Sequence, residues 1–434
     1  MPYMRDGYPA ELANKVGHIK LIQDPMIQGM IEVFEDVRPI NVSQFPVPTG
    51  SLDLSIPSSV RQVIVVDGGQ QVVPNVARPE RQVGFVQVAA ILLKLDSIEY
   101  MRAHPVTDPR DLRDMLGVAH HTLAALPLSG VHLPRTSVRQ SVRQVIHRYL
   151  SHYELDECLS YLVYRRWEEH MVTMPSMDCL ACGETMPLPR FHNVFDCPRC
   201  GENHTLSDYL GLCVDQAEER PNSETVSNLR SVLEALVLFS FIVKHRLDRE
   251  IMARTLFLLD GPLLLRAQLS RLVEPIRALI DDQRSRGLPL HLVGVEKSGE
   301  FASFAEAYST KLENVGDYFV PSTEFILEDM YGRAYHRNTY RNRVNYGAKV
   351  VVRLGPSHVL PLDIPTGEYC LEPQVHDLFG FDDILRSLSV LLSYRYPNAL
   401  IPIVLANSQA SISNQPSGSI LSQFVDRLLD LGGV

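Results

Sequence analysis

The sequence predicts an α/β protein with a mixed sheet and flanking helices, interrupted by a helical insertion and a compact four-cysteine ribbon. Three observations lead there. Beyond residue 223, short runs of β-branched and aliphatic residues alternate with longer helical patterns. Similar apolar runs near residues 61–95 lie far upstream, so the sheet draws on distant parts of the chain. Between them stand two Cys-x-x-Cys pairs, a metal-ligand spacing. The 434 residues are 45% apolar and 21% charged, enough for at least one large core and two or three folded units.

Element by element, residues 1–60 combine a short amphipathic stretch with a proline-rich passage around Pro46, Pro48 and Pro57. RQVIVVDGG (61–69) reads as a buried strand ending in an acidic turn, and QVGFVQVAAILLKL (82–95) as one or two further strands, antiparallel to the first. Residues 108–170 read as helical; the repeated SVRQ puts Arg139 and Arg143 four apart on one solvated or partner-facing helix face. A long apolar helix is expected over 223–248, strands over 255–261, 289–297, 349–354 and 358–364, and helices over 263–284, 300–313, 380–394 and 417–431. The expected divisions are therefore 1–107, the N-terminal segment and first part of the core; 108–170, the helical insertion; 171–212, the ribbon; and 213–434, the rest of the core.

Charge and targeting signals exclude several roles. Lys plus Arg total 41 against 51 Asp plus Glu, a net charge of −10, so no global basic field holds nucleic acid and any such surface is a local patch. The opening MPYMRDGYPAEL lacks the apolar core of a secretory signal. The best apolar run, 232–243, contains Glu234 and stops at Lys244, too short to span a bilayer. Seven cysteines, four of them in two close pairs, favour a reducing, cytoplasmic setting and a metal over a disulfide framework.

The ribbon carries the sharpest motif: Cys179-x-x-Cys182-Gly, then Cys197-Pro-x-Cys200-Gly. Each pair forms a knuckle whose glycine lets the backbone turn beside the sulfurs. Four thiolates fill the tetrahedral shell of Zn²⁺ and leave no open position for water, so the site is structural. His192 and His204 are expected on the surface, and Cys158, Cys213 and Cys370 as small buried residues.

Carboxylates at strand ends point to a second kind of site. Asp67 follows VIVV and Asp260 follows LFLL, each with glycine behind it. Asp-Gly is equally a common turn or helix cap. If the two meet, they repel unless a cation lies between them, and Mg²⁺ or Mn²⁺ suits oxygen ligands. Glu234, inside the apolar SVLEALVLF, is a third candidate ligand, because a buried carboxylate needs a cation or a basic partner. Lys297, in VGVEKSGEF, is placed to neutralise a scissile phosphate or to sit at a surface turn. Asp363, bracketed by Pro361 and Pro365, reads as a turn residue.

Residues 331–353 contain no acidic side chain and interleave Arg333, Arg337, Arg341, Arg343, Lys349 and Arg353 with tyrosines that include Tyr340 and Tyr346. Arginine pairs with phosphate while tyrosine stacks on unpaired bases, so Arg333, Arg337, Tyr340, Arg341 and Arg343 form a candidate DNA surface.

VIVVDGG, LFLLDGPL, VGVEKSGEF and YPNALIPIVLANSQA (396–410) together resemble the NurA nuclease family, over about 60–95 and from 223 onward. The ribbon and the helices before it are extra to the minimal family pattern and resemble the longer bacterial members. The resemblance implies an RNase H-like fold, Mn²⁺- or Mg²⁺-dependent DNA cleavage, a homodimer, and a HerA-type hexameric ATPase as partner, in DNA-end processing or phage defence. It implies Asp67, Glu234 and Asp260 as metal ligands, with Lys297 assisting, and a DNA contact at Tyr396. Where the family often has an Ala-His pair, Ala406 is followed here by Asn407. Asparagine offers a carbonyl oxygen to a metal but cannot act as acid or base, which keeps open the alternative of a catalytically weak DNA-binding scaffold or adaptor for the same motor.

Overall fold

The computed structural model describes residues 24–32, 45–103, 119–168, 174–213, 223–330, 343–393, 398–412 and 417–431. The chain divides into two compact units, Met1–Pro46 and Val47–Val434. In the first, helix α1 (Pro25–Glu32) begins at Asp24, whose carboxylate accepts from the Met26 and Ile27 amides.

The second unit is organised on one sheet. Its strands are β1 (Gly50–Ser51), β2 (Gln62–Pro74), β3 (Gln82–Lys94), β4 (Ala119–Pro127), β9 (Thr255–Asp260), β10 (His291–Val295), β11 (Asp317–Phe319), β12 (Ala348–Gly355) and β13 (His358–Ile364). The four short strands β5 (Ser176–Asp178), β6 (Thr185–Pro187), β7 (Val194–Asp196) and β8 (Asn203–Thr205) belong to the ribbon. The sheet order is β1-β11-β12-β13-β10-β9-β2-β3-β4. β2, β3 and β4 form an antiparallel meander, β9 lies parallel to β2, and β10 parallel to β9. The architecture is thus a mixed α/β sheet with flanking helices.

The period of two along β2 decides how the layers form. Val63 and Val65 face one side, Ile64 and Val66 the other, and all four are buried. On the Ile64 side pack α3 (Val138–His152), α4 (Leu155–Val163), α5 (Ser223–His245) and α7 (Val273–Ser285), the last following the short α6 (Arg249–Arg254). On the Val63 side lie α9 (Phe381–Val390) and α10 (Ile401–Ala410). Also present are α2 (Leu95–Ala103) after β3, α8 (Glu300–Tyr308) after β10, and α11 (Ser417–Leu431), where Asp426 accepts from the Asn75 side chain and the Val76 amide.

Several expectations need correction. The first strand does not end in a turn at Gly68–Gly69: β2 runs on to Pro74, with Gly68 opposite Val88 and Gly69 opposite Gln87. Residues 82–95 form a single strand apart from the last, which opens α2. The stretch 108–170 is not wholly helical, because AHHTLAALP is β4. Its Ala and Leu suit a helix, but pairing with β3 from Val83↔Pro127 to Ile91↔Ala119 overrides that preference. Within 263–284, α7 begins only at Val273, after a 3₁₀ turn, and α8 likewise gives way to a 3₁₀ turn at Ser309.

β4 is an edge strand, and two of its outward amides are occupied. Tyr153 Oη accepts from Leu123 N at 3.0 Å and Tyr149 Oη from Ala125 N at 3.1 Å, the rings reaching over from the last turn of α3 and from the residue that caps it. Among the described residues, one helix, Ser223–His245, is long and apolar enough to cross a membrane, and 61% of its apolar window is buried inside this fold.

Candidate functional site

The parallel pairing of β2 and β9 brings two distant aspartates together. Val66 stands opposite Leu259, so Asp67 and Asp260 follow as neighbours, and both line one cleft, where the charge of Asp260 bears on the Asp67 carboxyl. β10 adds its own end: Val295 stands opposite Asp260, and the chain then presents Glu296 and Lys297. Lys297 Nζ lies 2.7 Å from Asp260 Oδ2. These residues line a cleft of about 880 Å³, together with Arg230 and Lys349 and, from α10, Asn407.

Burial and like charge make Asp67 reluctant to ionise. Asp67 is 7% exposed; desolvation, reinforced by the Asp260 charge, pushes its carboxyl up to about 7. The Gly68 amide, donating at 2.7 Å, and Lys297 pull the other way. Glu234 is 6% exposed, and burial pushes its carboxyl up to about 8; Arg230 opposes this, while Asp67 and Asp260 add to it. Arg230, one helical turn earlier on α5, has Nη1 2.6 Å from Glu234 Oε1. The basic partner left open for Glu234 in the sequence is therefore present. These hard carboxylate oxygens suit Mg²⁺ or Mn²⁺. Glu234 stands slightly apart: among the described residues, only the four cysteines form a group of three or more ligand atoms all within 4.8 Å of one another.

The glycines after Asp67 create room. A Cβ on Gly68 would lie 2.5 Å from Glu234 Oε1 and 3.0 Å from Arg230 Cγ. A Cβ on Gly69 would collide with the Ala410 carbonyl at the end of α10, the helix that carries Asn407; the Gln87 side chain also donates to the Gln409 carbonyl there. Gly68→Ala is expected to displace Glu234 and Arg230 and to weaken divalent-ion binding about tenfold or more, with the fold retained. Calorimetric titration with Mn²⁺ checks this, and affinity equal to that of the parent chain would show that the close approach is unimportant.

Other expected residues fall differently. Asp363 is not a turn residue: it is 3% exposed, opposite Lys349 in the β12–β13 pairing, and accepts from the Leu263 amide at 2.8 Å. Lys349 lies 3.0 Å from Asp363 and 2.6 Å from Glu296, so it is a buried counter-ion and not a free phosphate contact. Arg353 donates to the carbonyls of Leu312, Pro356 and Ser309, and Tyr346 is 1% exposed. The end of the basic stretch therefore serves the fold, whereas Arg343 is exposed beside the cleft residue Val344. Arg333, Arg337, Tyr340, Arg341 and Tyr396 lie outside the described residues. Arg230 was missed, although its place four residues before Glu234 on a helix is the spacing at which such ion pairs form.

The four cysteines converge as their spacing requires. Gly183 N donates to Cys179 O and Gly201 N to Cys197 O, both at 2.9 Å, and both glycines have left-handed φ angles of 72° and 74°. The Cys179–Cys200 and Cys182–Cys197 sulfurs are 3.7 and 3.8 Å apart, matching the edge of about 3.8 Å that a tetrahedron with Zn–S bonds of about 2.3 Å would have. The cluster can hold a metal ion. His192 is exposed, but His204 is fully buried, contrary to expectation. From β8 its ring stacks on Phe195, with Nε2 3.3 Å from Cys179 Sγ and Nδ1 3.3 Å from Asp208 Oδ2. Asp208 in turn pairs with Arg143 at 2.8 Å, and Glu202 does the same. Arg143 thus anchors the ribbon to α3 instead of lying on a free basic face. Cys158 and Cys213 are buried, whereas Cys370 is half-buried.

No protein-family model and no curated protein matches the chain.

Proposed function

We propose that this chain is a divalent-metal-dependent DNA nuclease of the NurA type, with an RNase H-like core and a structural zinc ribbon, working as a homodimer with a HerA-type hexameric ATPase in DNA-end processing or phage defence. The observation that carries the reading is the meeting of Asp67 and Asp260 at adjacent positions of parallel strands, with Lys297 on the second carboxylate. The antiparallel meander beside two parallel strands supports the fold assignment.

Asp67 and Asp260 would hold the ion, and Glu234 would complete its shell. Bound there, a divalent ion supplies Lewis acidity and a water acidic enough to attack phosphorus in line. Lys297 neutralises charge on the phosphoryl oxygens, its head being about one-third exposed and pointed into the cleft. The new bond is water oxygen to phosphorus, the broken bond is phosphorus to the 3′ oxygen, and the water's proton leaves through the solvated cleft.

Asn407 favours a second reading, a DNA-binding scaffold with weak catalysis, because it lines the cleft where the resemblance implies histidine. Incubation of the purified chain with linear and single-stranded DNA, Mn²⁺ or Mg²⁺, with and without the motor, separates the two. The nuclease reading expects cleavage that falls at least about a thousandfold in Asp260→Ala. Cleavage that survives this substitution removes the cleft as the active site, and absence of cleavage under every condition favours the scaffold.

A further inference from the structure

Arg230 has no role in the site as assigned so far, yet its position is unusual. It lies on α5 one turn before Glu234, lines the same cleft as Asp67 and Asp260, and has Nη1 2.6 Å from Glu234 Oε1. Its remaining bonds are long: Nη1 to the Gly68 carbonyl at 3.4 Å and Nε to Gln70 Oε1 at 3.3 Å. Its side chain is 28% exposed, whereas that of Glu234 is 8% exposed. A buried carboxylate beside two others needs a positive charge, and in the protein alone Arg230 provides it. A divalent ion bound by the same carboxylates would repel the guanidinium. Of the groups around Glu234, Arg230 is the one with a long stem, an open side and weak secondary bonds, so it is the one that can move. A guanidinium turned outward meets the phosphate of a strand lying in the cleft, for which it is suited in charge and in its forked donors.

We propose that Arg230 is an interim counter-ion: it holds Glu234 in the ion-free protein, yields that carboxylate to an arriving divalent cation, and passes its own charge to a DNA phosphate. The proposal rests on the nuclease reading of the cleft. It makes Arg230 a positioning residue for Glu234 and a contact for nucleic acid.

The test is Mn²⁺ binding, by calorimetry and electron paramagnetic resonance, in zinc-loaded protein without DNA, for the parent chain, Arg230→Gln, Arg230→Lys and Asp67→Asn. Arg230→Gln removes the competing charge and is expected to bind Mn²⁺ about tenfold tighter. Arg230→Lys keeps the charge and is expected to remain within about threefold of the parent. With Ca²⁺ in place of Mn²⁺, Arg230→Gln is expected to bind single-stranded DNA several-fold more weakly, its salt dependence shallower by about one counterion. If Arg230→Gln melts cooperatively but binds Mn²⁺ no tighter than the parent, the side chain is a fixed prop for Glu234 and the proposal falls while the nuclease reading stands. If it does not melt cooperatively, Arg230→Lys decides: Mn²⁺ affinity shifted more than threefold overturns the proposal, and parental affinity with parental DNA binding supports it. If the parent chain and Asp67→Asn give the same Mn²⁺ titration, the cleft holds no ion, and both readings fall together.

Discussion

Asp67→Asn is expected to abolish cleavage and, at the same time, to make the protein harder to unfold at pH 8 when Mn²⁺ and Mg²⁺ are absent. The first effect follows from losing a charged ligand, at least about a thousandfold in rate. The second follows from linkage. The Asp67 carboxyl rises from 3.8 to about 7 on folding. A raised value means that the stabilising contribution is fully present below about pH 4 and is lost as pH climbs through about 7. Asparagine keeps the hydrogen-bonding shape without ionising, so the variant escapes that loss. The full shift overstates the effect, since the cleft is open to water; on the order of 2 kcal/mol is expected at pH 8 and almost nothing at pH 4. Chemical denaturation of the zinc-loaded protein at the two pH values, beside a cleavage assay, checks both. A variant less stable than the parent at pH 8 would mean that Asp67 is not strained by its neighbours.

Cys179→Ser is expected to release the ribbon while leaving the nine-stranded sheet folded. The ribbon contributes only two two-stranded hairpins, and the buried side chains of its hairpins and knuckles are few: Met177, Cys179, Met186, Leu188, Cys197 and Leu206. So few buried groups would not hold the ribbon without a metal on the four cysteines, whose binding energy would be folding energy here. Serine also removes the sulfur that His204 contacts and leaves a fully buried ring without that partner. The link to α3 through Asp208 and Arg143 would then carry no rigid body. The expected result is loss of bound zinc and rapid amide exchange across residues 176–210, with slow exchange retained in β2, β3 and β9. Cleavage of short DNA would persist, because the carboxylate cleft is built from other elements. Retained protection across 176–210 would show that the ribbon folds by packing alone.

Strands carrying short apolar runs were legible in the sequence: β2, β9 and β10 were marked by VIVV, LFLL and LVGV, and the two aspartates that end the first two runs line one cleft. β4 was not, because Ala and Leu at 123–126 fit a helix equally well until β3 selects them. α10 begins with a long apolar run and has Pro402 in its first turn, so it gave no helical stripe to detect. Lys349 was grouped with the DNA-facing residues by charge, but charge alone does not say which side of a strand a residue occupies. His204 was placed outside for a similar reason: only the pairing of β7 with β8 turns it toward Cys179. The knuckles were fully readable, since metal geometry constrains two short-range cysteine spacings and the glycine after each, and little else.

The two phenol hydroxyls from Tyr149 and Tyr153 limit how subunits can associate. By taking the outward donors of Leu123 and Ala125, they obstruct the middle of that margin to another chain seeking backbone partners. A second copy would have to evict both rings before it could pair with the backbone at Leu123 and Ala125.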